Sequence, residues 1–405
     1  MFTWMAWAIA SLTHGWLMLQ LTDSPFWVGM GVGVRGAAQA LFSLPGGALA
    51  DRVDRRRLLF VTQFAMAAAS FVLATVVLGG AVRVGHVIAF MAFVGMLAAA
   101  DRPATNGLFY DLVGPARILS AGAFKFVGQA ATNIVAALSG GAVLEWLGMG
   151  QNLVLVAILH TMAALTLLVF RTPGAVINLV GPLARSVAEG IEYARRTPPV
   201  RALLNLSLIT ECFGFASLSM MPVIARDVLK VGGLGLGYLT AMGGVGQLLA
   251  TLTLAARGDV RDRPRLLMTS ALAFGVLIAI FGFSRWAPLS MLLVTLVYAC
   301  GVTYDVTMFA SLPVFASDAM RGRVLGLFAA TLSFSQLGGL IAGTGASVIG
   351  APAALTVCGL ITAGGALRFG GGLRGAVASA GINQRESAAG AAPRTGSQPE
   401  PESRP

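Results

Sequence analysis

From residue 62 to 81 the chain reads TQFAMAAASFVLATVVLGGA, a run without a single charge. A helix of about 20 such residues crosses the hydrocarbon core of a bilayer. Similar runs recur at 153–170 (LVLVAILHTMAALTLLVF), 268–284 (MTSALAFGVLIAIFGFS) and 287–304 (APLSMLLVTLVYACGVTY). Only 11% of the chain is charged, against about 25% in a soluble domain, so lipid is the expected solvent. Cutting at charges and at Gly/Pro punctuation predicts twelve spans: 1–22, 26–50, 58–80, 86–108, 120–144, 152–170, 201–224, 235–256, 265–283, 287–313, 324–348 and 352–369. Residues 1–22 are uncharged and too long for a signal-peptide core, and read as the first span. The expected fold is all-α and polytopic, with twelve transmembrane helices in two pseudo-symmetric six-helix bundles.

The basic residues orient this layout. Of the 28, 22 fall on one set of loops, four (Arg83, Arg226, Lys230 and Arg285) on the other set, and Arg35 and Lys125 inside spans. Lys and Arg collect in short cytoplasmic loops, so both termini are expected in the cytoplasm and the protein in the inner (plasma) membrane. The net charge of +11 is spread along a membrane face and not gathered in a patch, which argues against a nucleic-acid partner. Cys212, Cys300 and Cys358 are scattered through apolar segments and suggest neither a disulfide framework nor a zinc site.

The densest charge is DRVDRRR, residues 51–57. It has an echo. At a shift of 208, Asp51 meets Asp259, Asp54 meets Asp262, Arg55 meets Arg263 and Arg57 meets Arg265; at 204, Asp101 meets Asp305 and Arg117 meets Arg321. Matched charges in matched hinges imply two halves built alike, a known transporter architecture. The expected division is an N-terminal bundle 1–172, a linker 173–200, a C-terminal bundle 201–370 and a disordered cytoplasmic tail 371–405. Within the linker, Leu183, Val187, Ile191 and Ala194 recur at helical spacing opposite charged residues, predicting an amphipathic helix along the inner surface. The tail is polar and rich in Pro, Ser and Gly.

The stretch GALADRVDRRRLL (47–59) resembles the signature of the major facilitator superfamily between its second and third helices. Gly47, Leu49, Ala50, Asp51, Arg52, Arg55 and Arg56 match it, and Asp54 stands where Gly is usual. LQLTDSPFWVG (19–29), LFYDLVGPARILSAGAF (108–124), EGIEYARRTPPVRALL (189–204) and RGRVLGL (321–327) are similar to the branch of the enterobactin exporter, the macrolide-efflux proteins and the transmembrane secretion effectors. The resemblance implies that Asp51 faces the start of the eleventh span near Gly322–Val324. A helix N-terminus there favours negative charge by roughly 0.3–1 kcal/mol. Arg102 is the expected ion-pair partner, Gly47 would let two helices approach closely, and Asp259 would latch to the fifth helix near Ser120. These are breakable clasps between halves, since a bias of several kcal/mol would lock one state. Drug–proton antiporters often carry Gly-Pro in the fifth helix; Val135–Ala136 stands at the matching place.

Ionisable groups inside a span cost about 2.5–3.5 kcal/mol on insertion scales and mark candidate sites. Glu211, Asp305 and Arg35 are of this kind. Gln129 and Asn133, four apart on the fifth span, share a face. Glu211 or Asp305 is the expected proton carrier; structural glue for Glu211, a hinge role for Asp305, lipid pairing for Arg35 and packing for His14 are the plainer alternatives. GVGVRG (31–36) fits a dinucleotide-binding pattern but has no strand before it, and its glycines, with Gly339 and Gly343, are read as helix-packing residues. No P-loop, catalytic triad or metal-ligand cluster is visible, so neither enzyme chemistry nor a cofactor or metal is expected. The partners expected are a small-molecule substrate, protons and the bilayer, with the protein a monomer. The function expected is export of a small hydrophobic or amphipathic compound, such as a drug or siderophore, coupled to the proton gradient. An uptake carrier of the same fold and a non-transporting sensor or scaffold are the alternatives.

Overall fold

The computed structural model describes the backbone of residues 1–114, 118–169, 183–258 and 262–390. Among these residues there are helices and no strand. The first half comprises α1 (Phe2–Thr22), α2 (Pro25–Arg52), α3 (Arg55–Leu78), α4 (Val84–Val113), α5 (Ile118–Trp146) and α6 (Met149–Val169). A linker helix, α7 (Leu183–Arg196), leads to α8 (Pro198–Val228), α9 (Gly232–Arg257), α10 (Arg263–Phe283), α11 (Ala287–Phe315), α12 (Arg321–Ile349) and α13 (Ala351–Gly390). Ten of them, α3–α6 and α8–α13, contain stretches long and apolar enough to cross a membrane. Helices α1 and α2 carry Thr13, His14 and Gln39, all buried inside the bundle.

The two halves pack alike. In the first, α2 packs on α4, α3 on α4 and α6, and α1 on α5 and α6; in the second, α9 packs on α11, α10 on α11 and α13, and α8 on α12 and α13. The halves meet along α2–α12 and α5–α9, two interfaces that exchange under the pseudo-two-fold relation. The twelve helices of the two halves alternate in direction, so Phe2 and the ends of α2, α4, α6, α9 and α11 share one rim, and the α1–α2, α5–α6 and α8–α9 loops share the opposite rim.

The sequence echo has a local cause. Asp54 caps α3, its carboxylate accepting the Arg57 N–H at 3.0 Å, and Asp262 caps α10, accepting the Arg265 N–H at 3.2 Å. An Asp N-cap satisfies an amide that a helix start leaves unpaired. Asp54 therefore replaces the family's usual Gly with a better cap.

The linker helix forms at the predicted place and docks on the second half. Glu189 pairs with Arg323 of α12 at 2.9 Å, the Ser317 N–H donates to the Tyr193 hydroxyl at 3.1 Å, and Ala194 is buried in the core of that half. Helix α13 continues to Gly390, beyond the point where polar composition predicted a disordered tail from 371; the stretch AVASA (376–380) supplies strong helix formers. Residues 391–405 lie outside the described residues.

Candidate functional site

At the rim opposite the arginines the halves are tightly closed. Gly29 of α2 lies against Gly339 and Gly343 of α12, and Gly141 of α5 against Gly233 and Gly237 of α9. A methyl carbon on Gly141 would sit 2.6 Å from the Gly237 Cα, and one on Gly29 2.8 Å from the Gly343 Cα. Only residues without a Cβ permit backbones so close, as in small-xxx-small packing of membrane helices. Polar clasps flank the glycines. Glu145, at the end of α5, accepts from the backbone N–H groups of Gly233 (2.7 Å) and Leu234 (3.3 Å) at the start of α9. Arg226 of α8 donates at 2.8 Å to the Leu19 carbonyl and to the Asp23 carboxylate, both in the other half.

Deeper in, the same two interfaces carry hydrogen bonds between halves. Arg35 Nε donates to Gln336 Oε1 at 3.1 Å, and Gln336 Nε2 donates to Gln39 Oε1 at 3.0 Å. Asn133 Nδ2 donates to Gln247 Oε1 at 3.2 Å. Between these contacts lies a cavity of about 240 Å³, lined by residues of α1, α2, α4, α5, α8, α9 and α11. Both halves thus contribute to its wall. Arg35, His14, Asn133, Gln247 and Tyr298 are polar groups on a lining that is otherwise largely apolar, the composition of a small-molecule site.

Of the residues singled out from the sequence, Arg35 and Asn133 line this cavity, while Gln129, one turn away on α5, does not. Glu211 and Asp305 lie elsewhere, inside the second half. Glu211 is 4% exposed and sits on a π turn of α8, Thr210–Phe215. It is within electrostatic reach of Asp305 on α11 and in hydrogen-bonding reach of Ser335 on α12. Asp305 Oδ1 and the Tyr304 hydroxyl are buried without a hydrogen-bond partner. The two carboxyl groups are thus buried ionisable groups within electrostatic reach of each other, and π turns are frequent at functional positions.

At the arginine-rich rim the signature residues are held within their own half. Arg55 pairs with Asp111 at 2.7 Å, and Arg56 donates to the Leu167 and Leu168 carbonyls at the end of α6. Arg52 and Arg102 are exposed. The close helix approach expected at Gly47 falls one residue earlier. A Cβ on Gly46 would lie 2.8 Å from the Ala99 backbone of α4, whereas one on Gly47 meets no described atom within 4 Å. Successive helical residues point about 100° apart, so only one of the two glycines can face α4. Open space also surrounds Gly322. Arg263 opens α10. The Asp51 side chain, Asp259, and the side chain of Ser120 lie outside the described residues.

A polar network of the first half was not foreseen. Asp101 Oδ1 accepts from Thr62 and Gln63, each at 2.8 Å, and Gln63 Oε1 meets His160 Nδ1 at 2.8 Å. The residues are buried and belong to α3, α4 and α6.

Two alike bundles enclosing one cavity, closed at one rim, define a membrane transporter of the major facilitator type. The chain belongs to the transmembrane secretion effector family, whose sequence profile matches residues 1–382. It is 24% identical over 328 residues to the enterobactin exporter EntS of Shigella flexneri, covering 79% of this chain and 78% of that one. Its fold is similar to the crystal structure of a bacterial homolog of the human lysosomal transporter Spinster, in an inward-facing, unoccupied conformation (TM-score 0.69, 15% identity, 92% of this chain and 94% of that chain). The nucleoside transporter NupG is similar too (TM-score 0.68, 15% identity, 92% and 96%).

Proposed function

We propose that the protein exports a small amphipathic compound across the inner membrane by alternating access, drawing on the proton gradient, and that it works as a monomer. The observation that carries this reading is the cavity shared by both halves beneath a closed rim. Rocking of one half on the other would open that rim and expose the same cavity to the opposite side. The bias of 22 basic residues to four supports a cytoplasmic position for the arginine-rich rim, so the closed rim faces outward. The enterobactin exporter relative supports export as the direction.

The outward-open state requires a clasp at the other rim. Asp51, Arg52 and Arg102 with the start of α12 near Gly322, and Asp259 and Arg263 with the start of α5, are the groups proposed to form it. The paired carboxyl groups of Glu211 and Asp305 are the proposed proton site. Two negative charges sharing a low-dielectric setting repel strongly, and one proton between them removes the repulsion.

The test uses a strain lacking the gene, complemented by the intact chain or by the double variant E211Q/D305N, and loaded with a hydrophobic dye. Export predicts that complementation restores dye efflux, that a protonophore abolishes it, and that the double variant loses at least about 10-fold of the rate. Dye accumulation on complementation would reverse the direction to uptake. Equal retention with and without the protein, for dyes and for secreted metabolites alike, would remove the transport reading.

A further inference from the structure

The central cavity holds a cation without a counter-ion. Arg35 contributes five N–H donors, and one of them, Nε–H, is engaged by Gln336, which Gln39 holds in place. Among the described residues no acceptor takes the two Nη groups and no carboxylate lies within ion-pair distance. Arg35 is half-buried and lines this cavity, and with Trp7 and His14 it also borders a small side pocket of the first half. The guanidinium stands 5.4 Å from the centre of the Trp7 ring. His14 borders the same space, and both its ring nitrogens are buried without a partner. Arg102 is in electrostatic reach of Arg35, and no Asp or Glu lines the cavity. Glu211 and Asp305 belong to the other half and stand outside the lining.

A desolvated charge lacking a partner is costly, and structural use alone would have supplied an acid. We infer that the cavity takes substrates with an oxyanionic end, a carboxylate, sulfonate or phosphate, which the Nη groups of Arg35 bind, while an apolar body lies against Met18, Met91, Leu218, Met221 and Tyr298. Arginine suits this role because its planar fork offers parallel donors to a planar anion. The inference rests on the transport reading and narrows it from amphipathic compounds to amphipathic acids.

The experiment uses the full chain in lipid nanodiscs and two probes of one shape, 1-naphthoate and the neutral 1-naphthamide, with inorganic phosphate as the bare anion. Binding is measured by equilibrium dialysis. Because a hydrogen bond to a charged group is worth roughly 10- to 100-fold in affinity, naphthoate should bind at least about 10-fold more tightly than naphthamide. R35Q should bring the two affinities to within about 2-fold. R35K keeps the charge and loses the fork, and should fall between the two. Phosphate should compete only weakly, because the apolar body is missing. Equal binding of both probes to the unaltered chain, failure of naphthoate to bind, a naphthoate preference that survives R35Q, or phosphate binding as tightly as naphthoate would each overturn the assignment. R35K and R35Q are first matched to the parent by size-exclusion profile and melting temperature. Dye efflux is scored separately, so efflux without acid preference removes the oxyanion and leaves the exporter.

Discussion

Single side chains in this protein settle questions that hydropathy leaves open. Asp101 is 4% exposed and accepts two hydrogen bonds. Truncation would strand the Gln63 donor at about 1–3 kcal/mol, while the Thr62 hydroxyl can turn to the Leu59 carbonyl at 3.1 Å. D101A is therefore expected to lower unfolding stability in detergent by about 1–3 kcal/mol, and D101N, which keeps an acceptor, by clearly less; chemical unfolding followed by tryptophan fluorescence measures both. Asp54 offers a smaller effect: D54A should cost about 1 kcal/mol and D54G only a few tenths. The sequence made the mid-span charges visible, because an acid or arginine among apolar residues is conspicuous. It could not show which of them meet. Glu211 and Asp305 were legible one by one, yet their mutual reach depends on where α8 and α11 place them in the folded half. Gln336 and Gln247, amides in polar-tolerant stretches, carried no signal until their partners Arg35 and Asn133 were placed.

At the level of helices, periodicity and punctuation did most of the work. The predicted spans match the observed helices to within a few residues, and the linker helix falls where its apolar stripe lay. Helix α13 outruns the prediction because alanines favour a helix even in a polar tail. Which helices touch was less legible. Gly233 and Gly237 have the i, i+4 spacing of a close-packing face, as do Gly339 and Gly343, but spacing alone names no partner. Their opposite numbers, Gly141 and Gly29, became evident only in three dimensions. The consequence is testable: G141L places a side chain against the Gly237 backbone and should oppose closure of that rim. Overpacking of about 1–3 kcal/mol translates to a loss of about 5- to 150-fold in transport, measured in vesicles, with the variant accumulating in the opposite conformation. G47L, which meets open space, should transport within about 2-fold of the parent in the closed-rim state's own exchange with substrate, since no described contact is disturbed.

For the molecule as a whole, conformation is set by the balance between two rims. Glu145 of α5, bonded to the start of α9, and Arg226 of α8, bonded to the first half, hold together the rim closed here. Spin labels at Leu147 and Arg285, both exposed loop positions on different halves, report on that rim after the three native cysteines are replaced. E145Q combined with R226A should lengthen the label separation by shifting the population outward, because a helix-terminus anion and an ion pair each contribute on the order of 1 kcal/mol. An unchanged distance distribution would mean that the glycine contacts alone hold the rim.

The Arg226–Asp23 pair is also the wettest part of this seal: its aspartate side chain is 83% exposed. Ions in the surrounding medium reach such a pair and screen it, and at 1 M salt the screening distance shrinks to about 3 Å. Brine and fresh water would therefore set different dwell times for the same transporter, with the glycine seams indifferent to the change and the charged pair yielding to it.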